Sequence, residues 1–388
     1  MKYLLSIILP IFFSIILSLF GIGNEEISND MEKRVSIPKP PPTSIVQEKI
    51  LSPEEERVRE LLNTMSIEEK VGQLFIFGFD GTTLSQEKRE FLQNYKIGGV
   101  LLLSKNITDE QQLKNLITDI QTTNTIPLFI SIDQEGGIVS RIKWDERLTK
   151  AQSQIHTKEE GYEVAKSRGE ILKDFGVNIN FAPVVEYITD SNSFMYNRVY
   201  RGSKEEVIEK SISSIQGYTD SNIISVPKHY PGHSNTSPDS HYFLPVVDIE
   251  NNQWDIYIEP FSKILKKTPV DAIMVGHIKY PNIDSNPSTI SSEIITNRLI
   301  KNLEYEGLVI SDDMEMAALD NIGEYTEIAK QALLAGHDIL IYSKYSNRFP
   351  TIQRDVYEYI LEKVRNENMD IDNKVLKILR MKIKYNIL

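Results

Sequence analysis

The sequence predicts an α/β fold, a single (β/α)8 TIM-type barrel, and three observations lead there. Past residue 70, short apolar runs alternate with longer amphipathic ones. The short runs lack a polar face, as strands buried on both sides of a parallel sheet must. Ionisable residues come directly after several of them, at the end where such a barrel carries its reactive groups. Eight strand-then-helix units in about 320 residues suit one barrel domain. An open doubly wound sheet is the weaker alternative, because no run is followed by a glycine-rich phosphate turn.

Composition agrees with a folded chain: 40% hydrophobic and 25% charged in 388 residues. Forty-three Lys and Arg against 55 Asp and Glu leave a net charge of −12. No basic cluster stands out, which argues against a nucleic-acid partner. Cysteine is absent. That excludes disulfides, thiol nucleophiles, thiolate zinc sites, iron–sulfur clusters and a lipid-modified N-terminal cysteine.

Taken in order, residues 3–23 are apolar apart from Ser6, Ser14 and Ser18, and come after Lys2. This reads as a secretory signal or a retained membrane anchor. Glu25 and Glu26 lie just beyond it, so the remainder is expected outside the cytoplasm. Residues 24–52 are polar and carry Pro38, Pro40, Pro41 and Pro42, the composition of a semi-rigid spacer. The folded domain is 53–388. Its strands are expected at 74–79, 99–103, 128–133, 177–183, 223–227, 272–277, 308–312 and 338–342. Helical patterns between them include 108–123, 158–175, 204–219 and 325–335.

The strand ends hold the candidate chemistry. Strand three runs into Asp133, Gln134 and Glu135, strand five into Lys228 and His229, strand six into His277, and strand seven into Asp312 and Asp313. Pro231, Gly232 and Pro238 make the strand-five segment a loop. On it, Asp239 stands two residues before His241. An Asp holding one imidazole nitrogen fixes the tautomer and leaves the other free for general acid/base work. The same spacing also describes a surface histidine bonded to its neighbour.

Asp312 ends a strongly apolar strand, and a carboxylate there can attack an anomeric carbon. A metal ligand or a helix cap are the alternatives. Strand alternation predicts that only one of Asp312 and Asp313 faces the axis, and Asp313 is expected to cap a helix from Met314. His229, His233, Asp239 and His241 form a zinc-type donor set. Pro231 and Gly232 deny the first two a helical i, i+4 geometry, so no metal is expected.

Several segments together resemble glycoside hydrolase family 3, in its β-N-acetylglucosaminidase branch. They are LLNTMSIEEKVGQL (61–74), GGVLLLSKNI (98–107), DQEGGIVSR (133–141), NFAPVVEY (180–187), NRVY (197–200), KHYPGHSNTSPDSH (228–241), HIKYPNID (277–284) and GLVISDDMEM (307–316). The resemblance implies a nucleophile at Asp312 and a His241/Asp239 acid/base pair. It implies sugar contacts from Asp133, Arg141, Arg198, Lys228 and His229, with His277 bracing the pocket. Arg198 has an alternative place in a buried ion-pair network. The implied activity is retaining, exo-acting release of β-linked N-acetylglucosamine from muropeptides or chitooligosaccharides, by a monomer without a cofactor. A phosphorylase and an inactive sugar-binding protein are the competing readings. The chain departs from the family at Ser234 and Asn235, where Gly-Asp is common, at Ile138 (commonly Arg) and at Glu186 (commonly Asp). Ser234 is expected to stiffen the loop, and the other changes to alter rate or preference beyond the sugar.

Overall fold

The computed structural model describes residues 52–234, 239–344 and 348–388. The expected signal or anchor, nearly all of the linker, and residues 235–238 of the strand-five loop lie outside them. Among the described residues, no helix is long and apolar enough to cross a membrane.

Eight parallel strands form one sheet: β1 Phe75–Phe77, β2 Gly99–Leu102, β3 Phe129–Ile132, β4 Ile179–Asn180, β5 Ile224–Ser225, β6 Ala272–Val275, β7 Leu308–Asp313 and β8 Ile339–Tyr342. Their order is β5-β4-β3-β2-β1-β8-β7-β6. The two ends meet just beyond β5. Tyr230 N–H donates to the Met274 carbonyl at 2.8 Å, Met274 N–H to the Pro227 carbonyl at 3.0 Å, and Gly276 N–H to the Tyr230 carbonyl at 3.0 Å. The sheet is therefore a barrel, as the alternation predicted.

Each strand is followed by a helix: Gln86–Tyr95, Glu110–Gln121, Lys158–Asp174, Lys204–Asp220, Glu259–Lys267, Glu293–Asn302, Tyr325–Ala335 and Ile352–Asn366. The four helices expected between strands are found within about two residues at each end. Polar caps start them. Asp109 accepts from Gln112 N–H, and Ser203 and Glu206 form a capping box. Helices Pro53–Thr64 and Ile67–Gln73 precede the barrel, and Asp372–Lys384 closes it.

Except at β7, which gains Asp313, the hydrogen-bonded strands are shorter than the apolar runs, with only two residues each at β4 and β5. Pro183 and Pro227 lie inside the predicted strands and cannot donate to the ladder. Nearly every strand residue is buried. The core thus fills both the barrel and the layer beneath its helices.

Candidate active site

A cavity of about 510 Å³ opens at the C-terminal ends of the strands. It is bordered by Asp133, Arg141, Arg198, Lys228, His229, Asp239, His241 and Asp312. Every site residue expected from the sequence therefore shares one hollow. His277 does not border it.

A network of opposite charges forms one wall. Lys228 Nζ lies 2.8 Å from Asp133 Oδ1 and 2.6 Å from Glu135 Oε1. Arg141 donates to Asp133 at 3.2 Å. Arg198 grips Glu135 with two nitrogens, at 3.0 and 2.7 Å. Burial opposes ionisation of both carboxyls. For Asp133, Lys228 and Arg141 outweigh it and hold the group below the usual carboxylate range. For Glu135, Arg198 and Lys228 bring it to about 2. Arg198 thus borders the cavity and is also part of the ion-pair network that was its alternative reading. Glu135, 1% exposed, was missing from the sequence assignment. Its signal was its place two residues after Asp133 on the same strand extension.

A second knot fixes the β5 loop. Glu186 Oε1 accepts from His229 Nδ1 at 2.8 Å and from His233 Nδ1 at 3.1 Å. The backbone N–H groups of His229 and His233 bind the same carboxylate. With Nδ1 donating, His229 Nε2 is left to accept from Arg198 at 3.4 Å. Burial drives His229 down to about 4, against the pull of Glu186, so this ring is neutral. Glu186, His229 and His233 are the group of ligand-type residues that converges within 4.8 Å among the described residues. Asp239 and His241 are not part of it, so the four-residue zinc set weighed from the sequence does not assemble. Both oxygens of Glu186 already accept backbone and imidazole N–H groups. The cluster therefore works as a hydrogen-bonded clasp on the loop. Glu186 is not among the residues that border the cavity; it meets the loop through these N–H groups. Ile138, 68% exposed, is likewise not among the residues that border the cavity.

On the same loop, His241 Nδ1 lies 2.7 Å from Asp239 Oδ1, and His241 N–H donates to that oxygen at 3.0 Å. The imidazole is over half exposed, and its Nε2 is the nitrogen left for another partner. Burial raises the Asp239 carboxyl, but the two His241 donors outweigh this and lower it. Ser234 has φ +56°, a left-handed value that glycine adopts without penalty. That explains why glycine suits this position.

Asp312 stands at the end of β7. Burial opposes its charge, yet His229, His277, the Asp313 amide at 2.8 Å and Lys228 together lower it. It is a carboxylate at neutral pH. The expectation for Asp313 needs correcting twice. Ile310 pairs with Ile339 while Asp313 pairs with Ile341, so β7 carries an extra residue. Strict alternation fails across this bulge, and both residues border the cavity. Nor does Asp313 cap a helix. No helix starts at Met314, and Asp313 accepts from Glu315 N–H and Ser343 N–H, each at 3.1 Å, and from the Ser343 hydroxyl. It ties β7 to β8. His277 braces the same strand, donating through Nε2 to the Asp313 carbonyl at 2.9 Å.

A larger hollow of about 1100 Å³ lies at the other end of the barrel. Its lining includes the ion pairs Lys384–Asp271 and Arg380–Glu55.

The model of the glycosyl hydrolase family 3 N-terminal domain matches residues 66–381. A beta-hexosaminidase from Psychromonas ingrahamii is 32% identical over 276 residues, covering 69% of this chain and 81% of the relative. Beta-hexosaminidase A from Pseudoalteromonas piscicida is 30% identical over 292 residues, covering 67% of this chain. The match spans 48% of that longer relative. The solved structure of a glycoside hydrolase family 3 β-N-acetylglucosaminidase from a Paenibacillus species is 29% identical, with a TM-score of 0.77 over 83% of this chain and 63% of its own. With the family model covering most of the barrel, the chain belongs to glycosyl hydrolase family 3.

Proposed function

We propose that the protein is a retaining, exo-acting β-N-acetylglucosaminidase. The observation that carries this reading is the Asp239–His241 pair bordering the same cavity as the half-buried, ionised Asp312. Asp312 attacks the anomeric carbon as the bond to the leaving oxygen breaks, and His241 gives that oxygen its proton. Asp239 holds the ring by Nδ1 and stabilises the charged imidazolium. Water then gives a proton to His241 and attacks the glycosyl–Asp312 bond, releasing the sugar with its β configuration and freeing the carboxylate. No cofactor enters this cycle. Asp133, Arg141, Arg198 and Lys228 hold sugar hydroxyls in directional, charge-assisted bonds, and the neutral His229 adds an uncharged one. The β-hexosaminidase relatives and the β-N-acetylglucosaminidase structure support N-acetylglucosamine as the sugar; muropeptides or chitooligosaccharides as its source are part of the proposal. Export or anchoring through residues 3–23 would set the enzyme, acting as a monomer, among such fragments.

The test uses the full chain in detergent with an aryl β-N-acetylglucosaminide, with and without inorganic phosphate. Hydrolysis indifferent to phosphate is the expected result. Sugar 1-phosphate as product would make the enzyme a phosphorylase. No turnover by the folded protein would leave a sugar-binding protein.

A further inference from the structure

Among the described residues, two buried side-chain atoms on the cavity wall lack a hydrogen-bond partner: Arg141 Nε and Glu315 Oε2. Arg141 belongs to the Asp133 network. Glu315 has no part in the catalytic cycle. It stands three residues after Asp312 and is 6% exposed. Its Oε1 accepts from Lys344 N–H at 2.8 Å, which pins the carboxyl to the end of β8. Its own N–H is held by Asp313. The carboxyl is therefore anchored through one oxygen, and the other is buried with nothing to bind unless the side chain turns about that anchor towards the cavity it borders. Of the nearby cations, Lys105 pairs with Asp80 and Arg348 with Asp320, while Lys344 meets Glu315 through its backbone N–H. A buried polar atom left unanswered is costly, and at a ligand cavity the answering group is the ligand's.

We propose that Glu315 Oε2 binds a ring hydroxyl of the sugar seated against Asp312, and so selects the sugar at a position away from the anomeric carbon. This rests on the glycosidase reading above. The location supports a ring contact. Glu315 is held among the ends of β7 and β8, whereas His241, which serves the leaving oxygen, is carried by the loop after β5. Burial and the neighbouring Asp313 raise the Glu315 carboxyl to about 7, against Lys344 and Lys105. The protonated form can donate to a hydroxyl and adds no negative charge beside the nucleophile.

The experiment compares the full-length wild type with Glu315→Leu on an aryl β-N-acetylglucosaminide and its 3-, 4- and 6-deoxy analogues. Loss of one hydroxyl is expected to lower kcat/KM at least about tenfold in the wild type and less than about twofold in the variant. Glu315→Asp, which withdraws the carboxyl by one methylene, gives the same comparison if the Leu variant does not fold. Glu315→Gln, which keeps a donor, should retain the hydroxyl dependence. Equal losses in wild type and variant for all three analogues would overturn the contact alone. A wild type inert on the parent substrate would overturn the glycosidase reading and this contact with it.

Discussion

The two ends of the barrel each bury a lysine, and they treat it oppositely. At the mouth, Lys228 is 2% exposed and lies between Asp133 and Glu135. Burial alone would strip its proton, but the two carboxylates outweigh burial and raise it. At the floor, Lys382 is fully buried. It donates to Gln73 Oε1 at 2.7 Å and to the Gly98 carbonyl at 3.0 Å, with its ammonium 4.8 Å from the Phe129 ring centre. Among the described residues no carboxylate pairs with it, and burial pushes it down to about 7. The difference shows where fixed charge has a use. The mouth holds positive and negative groups in register for a ligand. The floor tolerates a lysine only because its amine can be neutral.

Substitutions at the mouth and the floor should therefore separate activity from stability. The largest effect is expected at the mouth. Asp312→Asn should lower kcat by at least about 10⁴-fold, with thermal unfolding almost unchanged; near-normal turnover would remove Asp312 from the mechanism. His241→Ala should cost about 10²–10⁴-fold on a glycan and far less on an activated aryl glycoside, since a good leaving group needs no acid. Equal losses on both would mean another group supplies the proton.

Lys228→Met leaves Asp133 and Glu135 short of a cation, and should destabilise the fold by about 3–5 kcal/mol in a denaturant titration. Lys382→Met removes an unpaired charge instead, and should be neutral or stabilising by about 1–4 kcal/mol at pH 6. The pH dependence sharpens this contrast. The folded Lys382 value lies below the unfolded one of about 10.4, so between about 7 and 10.4 the unfolded chain binds the extra proton. Wild-type stability should therefore rise across that window and be lost as pH falls towards 7, and Lys382→Met should flatten the slope. An unchanged slope would mean the buried amine stays charged. The smallest effect is expected at Ser234, where Gly should gain less than about 1 kcal/mol by relieving a left-handed backbone.

Much of this contrast was legible in the chain. The apolar runs at 99–103 and 272–277 became β2 and β6 almost residue for residue, because a strand buried on both faces has no other use for such a run. Pro183 and Pro227 were in plain view too, and each lacks the N–H that would carry the ladder on past the short β4 and β5. Lys382 also left a trace, since it falls three residues after Leu379 and four after Ile378, on the buried stripe of its helix. Asp313 was misread because its partner, Ser343, is 30 residues away. A local cap was the nearest explanation within the sequence. Glu186 and Glu135 were underrated for the same reason: what they bind, His229, His233, Arg198 and Lys228, lies 43 to 93 residues further along.

By itself the sequence determined the barrel, the end of it that carries reactive groups, and the family motifs bearing Asp312, Asp239 and His241. These depend on short-range pattern: the period of apolar residues, the prolines and glycines that end elements, and ionisable residues beside buried strands. Only the tertiary structure decided which charges neutralise one another, that the β7 bulge brings both Asp312 and Asp313 to the cavity, that the histidines at 229 and 233 clasp Glu186, and that Glu315 is left with an unanswered oxygen. Those outcomes depend on distances between residues far apart in the chain and on the loss of water around them. Both are set only when the barrel closes.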